Sequence, residues 1–240
     1  MKKMRFFLIA FILILSAVQG AFAQTDRDVE ILSFSSEAFS KDRIVYREKH
    51  EAEYRSGRIA RAKTDYISES GETLAYIESF FNDSLTAPAH VFEDFRFKDR
   101  HGARYEAGDV ILFTVREGGK EETRNVGKDF GSSVLMVGCQ GFFYYLQENY
   151  QVLRERGKIP LKLLITGDLD IYDFEMELKD QIDGIAYINI HISNWFLRLF
   201  APKLELRYDI ADKKLLYYKG LSNILDEKRK LQNVEIFYKY

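Results

Sequence analysis

The alternation of apolar and polar positions is most regular in the second half of the chain. Tyr172, Phe174, Met176 and Leu178 alternate with Asp173, Glu175, Glu177 and Lys179. Ala186, Ile188, Ile190 and Ile192 alternate with Tyr187, Asn189, His191 and Ser193, and Leu204, Leu206, Tyr208 and Ile210 with Glu205, Arg207 and Asp209. A repeat of two sends successive side chains to opposite faces, so each run predicts a strand with one dry and one wet face. Further strands are predicted at 161–165, 215–219 and 234–240, with tight turns at 180–184 and 211–213. In the first half, a short apolar segment at 29–34 precedes a strand at 44–54, where Tyr46, His50, Ala52 and Tyr54 share one parity. A hairpin turn at Ser56-Gly57-Arg58 leads into a strand at 59–67, and another strand at 109–116 is turned back by 117–120. Residues 72–81 suit a strand or a helix, because Leu74, Ile77, Phe80 and Phe81 fit either repeat. At 91–98, Phe95 and Phe97 are in register and Phe92 is out of it, which predicts a bulge.

One stretch follows a different period. Over 141–157, Phe142, Phe143, Tyr145, Leu146, Tyr150 and Leu153 fall on one arc at 100° per residue, and Gln147, Gln151, Arg154 and Glu155 fall opposite. Gly157 and Pro160 supply stop signals, and Arg154, Arg156 and Lys158 suit the negative end of a helix dipole. About ten strands joined by short turns make an antiparallel meander that cannot stay flat. The expected fold is therefore mainly β (α+β): a curved antiparallel meander sheet or half-barrel wrapped around one long amphipathic helix. Residues 193–202 interrupt the strands and crowd Trp195, Phe196, Leu197, Leu199 and Phe200 together. They read as a corner plugging the barrel, or as a lip or patch that meets a ligand, membrane or partner.

The start of the chain changes the picture of where the protein works. Lys2, Lys3 and Arg5 precede an apolar run at 6–18, and Ala21-Phe22-Ala23 offers a cleavage site before Gln24. That is the layout of a cleaved signal peptide at 1–23, with periplasmic export as the expectation. Residues 24–240 then form a single β-rich domain, of a length that suits one core. The formal charge of −2 comes from interspersed signs, with no basic patch to suggest nucleic acid. Cys139 is the single cysteine, so no internal disulfide can form; the 19 Phe and 15 Tyr are the material for packing.

Little in the chain points to catalysis. Cys139 sits at the start of the central helix, but no His-plus-carboxylate pattern supplies a base for it, and a buried free cysteine behaves as a small hydrophobe. Asp168, Asp170 and Asp173 are close together, yet Asp173 and Lys179 stand where an EF-hand loop needs glycine and glutamate. His50, His90, His101 and His191 form no metal or protease motif, and no Walker, GxSxG or dinucleotide signature is present. No metal, cofactor or catalytic residue is expected.

Residues 197–240 carry an apolar corner, the pair Tyr208-Asp209 and the run Tyr218-Lys219-Gly220-Leu221-Ser222-Asn223-Ile224. This stretch resembles uncharacterised exported bacterial proteins akin to the domain-of-unknown-function 3108 group. The layout of the whole chain is similar to periplasmic lipoprotein-carrier proteins, a resemblance that implies an unclosed barrel with a helix over its concave face. The expected function is a periplasmic, non-enzymatic binding or carrier protein for a lipid or a lipoprotein acyl chain. Tyr46, Phe142, Leu146, Trp195 and Phe196 are the expected lining, with His50 as a polar contact. The alternatives are an envelope structural or interaction protein with a filled core that holds a protein partner, and a hydrolase with dispersed residues. Any membrane contact is expected to be peripheral.

Overall fold

The computed structural model describes residues 29–131, 134–194 and 203–240. The signal peptide expected at 1–23 and the apolar corner with Trp195 and Phe196 lie outside these residues. The first half is a run of strands: β1 (Val29–Ser40), β2 (Arg43–Arg55), β3 (Arg58–Ile67), β4 (Thr73–Phe80), β5 (Ala89–Asp94), β6 (Asp99–Glu106), β7 (Asp109–Val115) and β8 (Glu122–Asn125). A short β9 (Met136–Gly138) leads into the helix α1 (Gly141–Arg156). Then follow β10 (Lys158–Ile165), β11 (Asp170–Ile182), β12 (Ile185–Ile192), β13 (Leu204–Asp209), β14 (Lys214–Leu221) and β15 (Asn233–Lys239). All fifteen strands belong to one sheet, ordered β8-β7-β6-β5-β4-β3-β2-β1-β15-β14-β13-β12-β11-β10-β9. The expected antiparallel meander is present, joined in the middle by β1 against β15; β9 against β10 is a parallel pair.

Local chemistry accounts for the joints. Ser56 and Gly57 both take positive φ, 50° and 72°, the geometry of a two-residue hairpin whose twist matches its strands. Gly157 sits at φ 74° after the helix, and its N–H reaches the Leu153 carbonyl at 2.8 Å.

Of residues 72–81, which suited a strand or a helix, Thr73–Phe80 form strand β4, with Ala75, Ile77 and Ser79 facing inward at a repeat of two. One expectation is corrected and one strand is new. Phe95 and Phe97 lie in the turn between β5 and β6, Phe92 is the buried strand residue, and β5 pairs without a bulge. Strand β6 has no apolar alternation and was not expected: His101, Ala103 and Tyr105 line its one face, and Gly102 lets its backbone approach the His90 carbonyl.

The sheet curls until its ends meet. Strands β8 and β11 are twelve places apart in the order, which in a flat sheet is about 58 Å. Yet Arg124 of β8 pairs with Asp170 of β11 and donates to the Leu169 carbonyl at 3.0 Å. Across the same seam, His101 of β6 lies 2.7 Å from the Thr166 hydroxyl, and Arg116 donates to the Gly167 carbonyl at 3.2 Å. Beneath these contacts, Ala87, Ala103, Val110, Leu112, Val126, Met136 and Leu164 pack as one cluster. The result is an open curved sheet, closed at the seam by side chains instead of a hydrogen-bond ladder.

Helix α1 lies inside this curve. Tyr145, Leu146, Tyr150 and Leu153 pack with Ile159, Leu161, Met176, Ile188, Ile190, Leu206 and Tyr208. Its first turn reaches the other wall, where Tyr144 meets Tyr54 and Phe81, and Gln140 donates to Thr64 at 2.9 Å. Among the described residues no helix is long and apolar enough to cross a membrane.

Candidate functional site

The inner wall carries two unlike surfaces. On β10 to β14 it is covered by α1, and the cluster there is aliphatic and tyrosine packing. On β1 to β5 and β15 it forms a separate cluster of Ala38, Tyr46, Tyr66, Ala75, Ile77, Phe92, Val234 and Ile236, to which no residue of α1 belongs. Ile224, from the loop 222–232 between β14 and β15, closes this cluster; Tyr218 and Tyr238 touch both clusters.

Into the second surface the even-numbered row of β2 places a buried carboxyl. Glu48 lies between Tyr46 and His50 on the row that faces inward and is 4% exposed. Burying a carboxyl is costly unless it is bonded. Its Oε2 accepts the Ser36 hydroxyl and stands 3.2 Å from His50 Nε2. His50 Nδ1 is 2.8 Å from the Thr64 hydroxyl, which also accepts Gln140 Nε2. Because Gln140 can only donate from that nitrogen, the Thr64 proton is free to reach His50 Nδ1, and the imidazole then donates from Nε2 to Glu48. The chain Gln140–Thr64–His50–Glu48–Ser36 thus joins the start of α1 to β3, β2 and β1. Gln140 Oε1 is buried with no hydrogen-bond partner among the described residues.

The surrounding phenols feel this carboxyl. Tyr46, Tyr66 and Tyr238 are held well above the usual phenol range, first by burial and next by the charge of Glu48. Tyr218 is shifted in the same direction by the same two causes. Tyr46 meets Ser222 Oγ at 2.9 Å, and Tyr66 accepts Asn223 Nδ2 at 2.9 Å.

Such a trio of Ser, His and Glu invites comparison with a nucleophile relay. A relay needs the serine on one imidazole nitrogen and the carboxylate on the other. Here Ser36 and Glu48 approach the same nitrogen, at 3.4 and 3.2 Å, and Thr64 holds the other. The arrangement anchors three strands to one another. Cys139 is backed by Ser79, with Sγ and Oγ 3.9 Å apart; burial pushes its thiol up to about 12, the protonated and unreactive direction. Among the described residues no group of three or more His, Cys, Asp or Glu could hold a metal. Asp170 pairs with Arg124 and Asp173 with Lys162.

The residues expected as lining are separated by the structure. Tyr46 and His50 sit together on β2, with His50 stacked on Phe34 at 4.4 Å. Leu146 is buried in the helix cluster and Phe142 packs against that cluster, whereas Tyr46 belongs to the other. Trp195 and Phe196 are outside the described residues. Ser36, Glu48, Thr64, Gln140, Ser222 and Asn223 were not anticipated. Parity alone could have found Glu48, because it falls between Tyr46 and His50 on their own row.

A sheet that curls on itself around one helix and closes through side chains defines a β-barrel-like protein. The fold is shared with the crystal structure of a beta-barrel-like protein of domain of unknown function DUF1849 from Brucella abortus, at a TM-score of 0.52 and 7% identity, over 88% of this chain and 95% of that one. No protein-family model matches the sequence. No curated protein matches it either.

Proposed function

We propose that the protein is a non-enzymatic binding or carrier protein that holds a lipid or a lipoprotein acyl chain inside the barrel-like sheet. It acts in the periplasm after removal of residues 1–23 and touches membranes only peripherally. In this reading its C-terminal residues belong with the domain-of-unknown-function 3108 group. The observation that carries the reading is the wall of β1 to β5 and β15: its apolar cluster includes no residue of α1 and takes in Ile224 from a surface loop. An apolar wall that a loop can uncover gives a chain a place to enter without breaking the helix packing. Each methylene buried there gains roughly 0.8 kcal/mol. Leu146 and Phe142 hold the helix in place, and Tyr46 with its neighbours meets the ligand.

The filled cluster under α1 favours one other function, an envelope interaction protein that binds a protein partner through its outer surface. The two separate in one experiment. Protein purified from the periplasm without detergent is extracted into organic solvent and the extract examined by mass spectrometry, with uptake of added monooleoylglycerol measured in parallel. Near-stoichiometric lipid or saturable uptake is expected. Protein that is empty and takes up nothing rules out the carrier and leaves the interaction protein.

A further inference from the structure

The loop 222–232 is built as a self-contained unit. Its base is closed by the Ser222 N–H on the Gln232 carbonyl at 2.8 Å. Inside it, Asp226 Oδ1 accepts the N–H groups of Lys228 and Lys230, and Gln232 Nε2 donates to the Ile224 carbonyl. Compact loops of this kind, with adjacent ends and their own internal bonds, are frequently functional. Its ties to the barrel wall are side-chain bonds: Tyr46 to Ser222, Asn223 to Tyr66, Arg96 to the Leu225 carbonyl at 3.1 Å and Arg229 to the Phe97 carbonyl at 3.0 Å. Among the described residues no backbone-to-backbone bond joins 223–231 to β1 through β6.

What the loop inserts has a definite chemistry. Ile224 is 1% exposed and fills a socket in the cluster it shares with Ala38, Tyr46, Tyr66, Ala75, Ile77 and Ile236. Interiors are close-packed, so the socket is filled only while an aliphatic group occupies it. At its rim stand the Tyr46 and Tyr66 hydroxyls, taken up by Ser222 and Asn223. We infer that this socket is a ligand site for a neutral acyl ester, and that Ser222-Asn223-Ile224 occupies it as an internal stand-in until the ester displaces the loop. The inference rests on the carrier reading and names its ligand class. The aliphatic chain takes the place of Ile224, and the ester oxygens, which only accept, are met by the two hydroxyls as donors: Tyr46 as it can toward Ser222, and Tyr66 by turning from accepting Asn223 Nδ2 to donating. Burial and the charge of Glu48 keep both phenols protonated well beyond neutral pH, so both remain donors. The same charge disfavours a free carboxylate beside them, which separates an ester from a fatty acid.

The test compares binding of monooleoylglycerol and oleate, by calorimetry at submicellar concentration, for wild type, Ile224→Ala, Asn223→Ala and the Tyr46→Phe/Tyr66→Phe pair. A ligand that must expel a loop loses affinity in proportion to the closed fraction. Wild type is expected to prefer monooleoylglycerol, and Ile224→Ala to bind it about tenfold more tightly or better. Asn223→Ala, which leaves the socket filled but loosens the loop, moves the same way by less and stands in if Ile224→Ala does not fold. The Tyr pair is expected to bind both lipids with the ester preference lost. Unchanged or weaker binding in the folded loop variants, or an ester preference that survives in the Tyr pair, overturns the site while leaving the carrier standing. No binding of either lipid by any of the proteins overturns both.

Discussion

His101 shows most plainly what burial does to a single group. Its ring is stacked on Phe92 at 4.7 Å, and its pKa is pushed down to about 3, by burial first and then by His90 and Arg116. In the unfolded chain the imidazole titrates near its ordinary value of about 6.5. Between about 6.5 and 3, then, the unfolded chain binds a proton that the folded protein refuses. Its contribution is fully present above the unfolded value and is lost as pH falls, at up to about 1.4 kcal/mol for each pH unit. Urea unfolding of wild type and His101→Phe should show the wild type losing about 2 kcal/mol more than the variant between about pH 7 and 5. Equal losses in both would place the pH dependence elsewhere. None of this is legible in the sequence, where His101 stands in a polar run between Arg100 and Gly102. His50 was legible, since it shares its parity with Tyr46; Glu48 shares it too, but a carboxylate reads as a wet-face residue, and only the bonds from Ser36 and His50 explain how it stays inside.

At the scale of elements, the start of α1 is a tight fit. A Cβ added at Gly141 would lie 2.1 Å from the Thr86 carbonyl oxygen and 2.6 Å from Pro88 Cδ, so helix and loop must part. Gly141→Ala is expected to cost about 1–3 kcal/mol in urea unfolding, as overpacking does. Gly157→Ala meets open space and strains only a left-handed φ of 74°, for about 1 kcal/mol. A Gly157 variant as damaging as the Gly141 one would show that space at the helix start is not what matters. The helix limits and its buried residues were legible because glycine, arginine and aromatic spacing agree over 141–157. Strand β6 was not, because the residues it turns inward are His101, Ala103 and Tyr105, and hydropathy sees no alternation in them. The turn at Phe95 and Phe97 misled for the opposite reason: Arg96 and Arg229 lie over the Phe97 ring at 4.8 and 4.6 Å, and this cation–aromatic contact keeps an aromatic outside a strand.

For the whole molecule, the question is what keeps the curled sheet shut. The seam has an outer ion pair, Arg124 with Asp170, both roughly two-fifths exposed, and an inner cluster around Leu112, which is fully buried. Exposed pairs contribute little, so Arg124→Ala is expected to cost less than about 1 kcal/mol. Leu112→Ala leaves a cavity in the cluster and is expected to cost about 2–5 kcal/mol. Chemical denaturation of the two variants decides; a larger effect from Arg124 would make the seam electrostatic. Curvature was legible from the number of strands alone. The joining of the two halves was not, because no local pattern says that β1 lies beside β15.

That pairing also sets an order of events. Lys239 of β15 bonds to Glu37 of β1 across 202 positions of sequence, while nearly every other strand pairs with its neighbour in the chain. The two meanders can zip from local hairpins, but the join between them closes a loop of nearly the whole described chain, and such closures are slow. During synthesis β1 therefore has one edge satisfied by β2 and the other waiting for a strand made much later. An unpaired edge is an invitation to other chains. The protein is thus most exposed to aggregation and to chaperone capture in the interval between the two ribbons forming and their meeting.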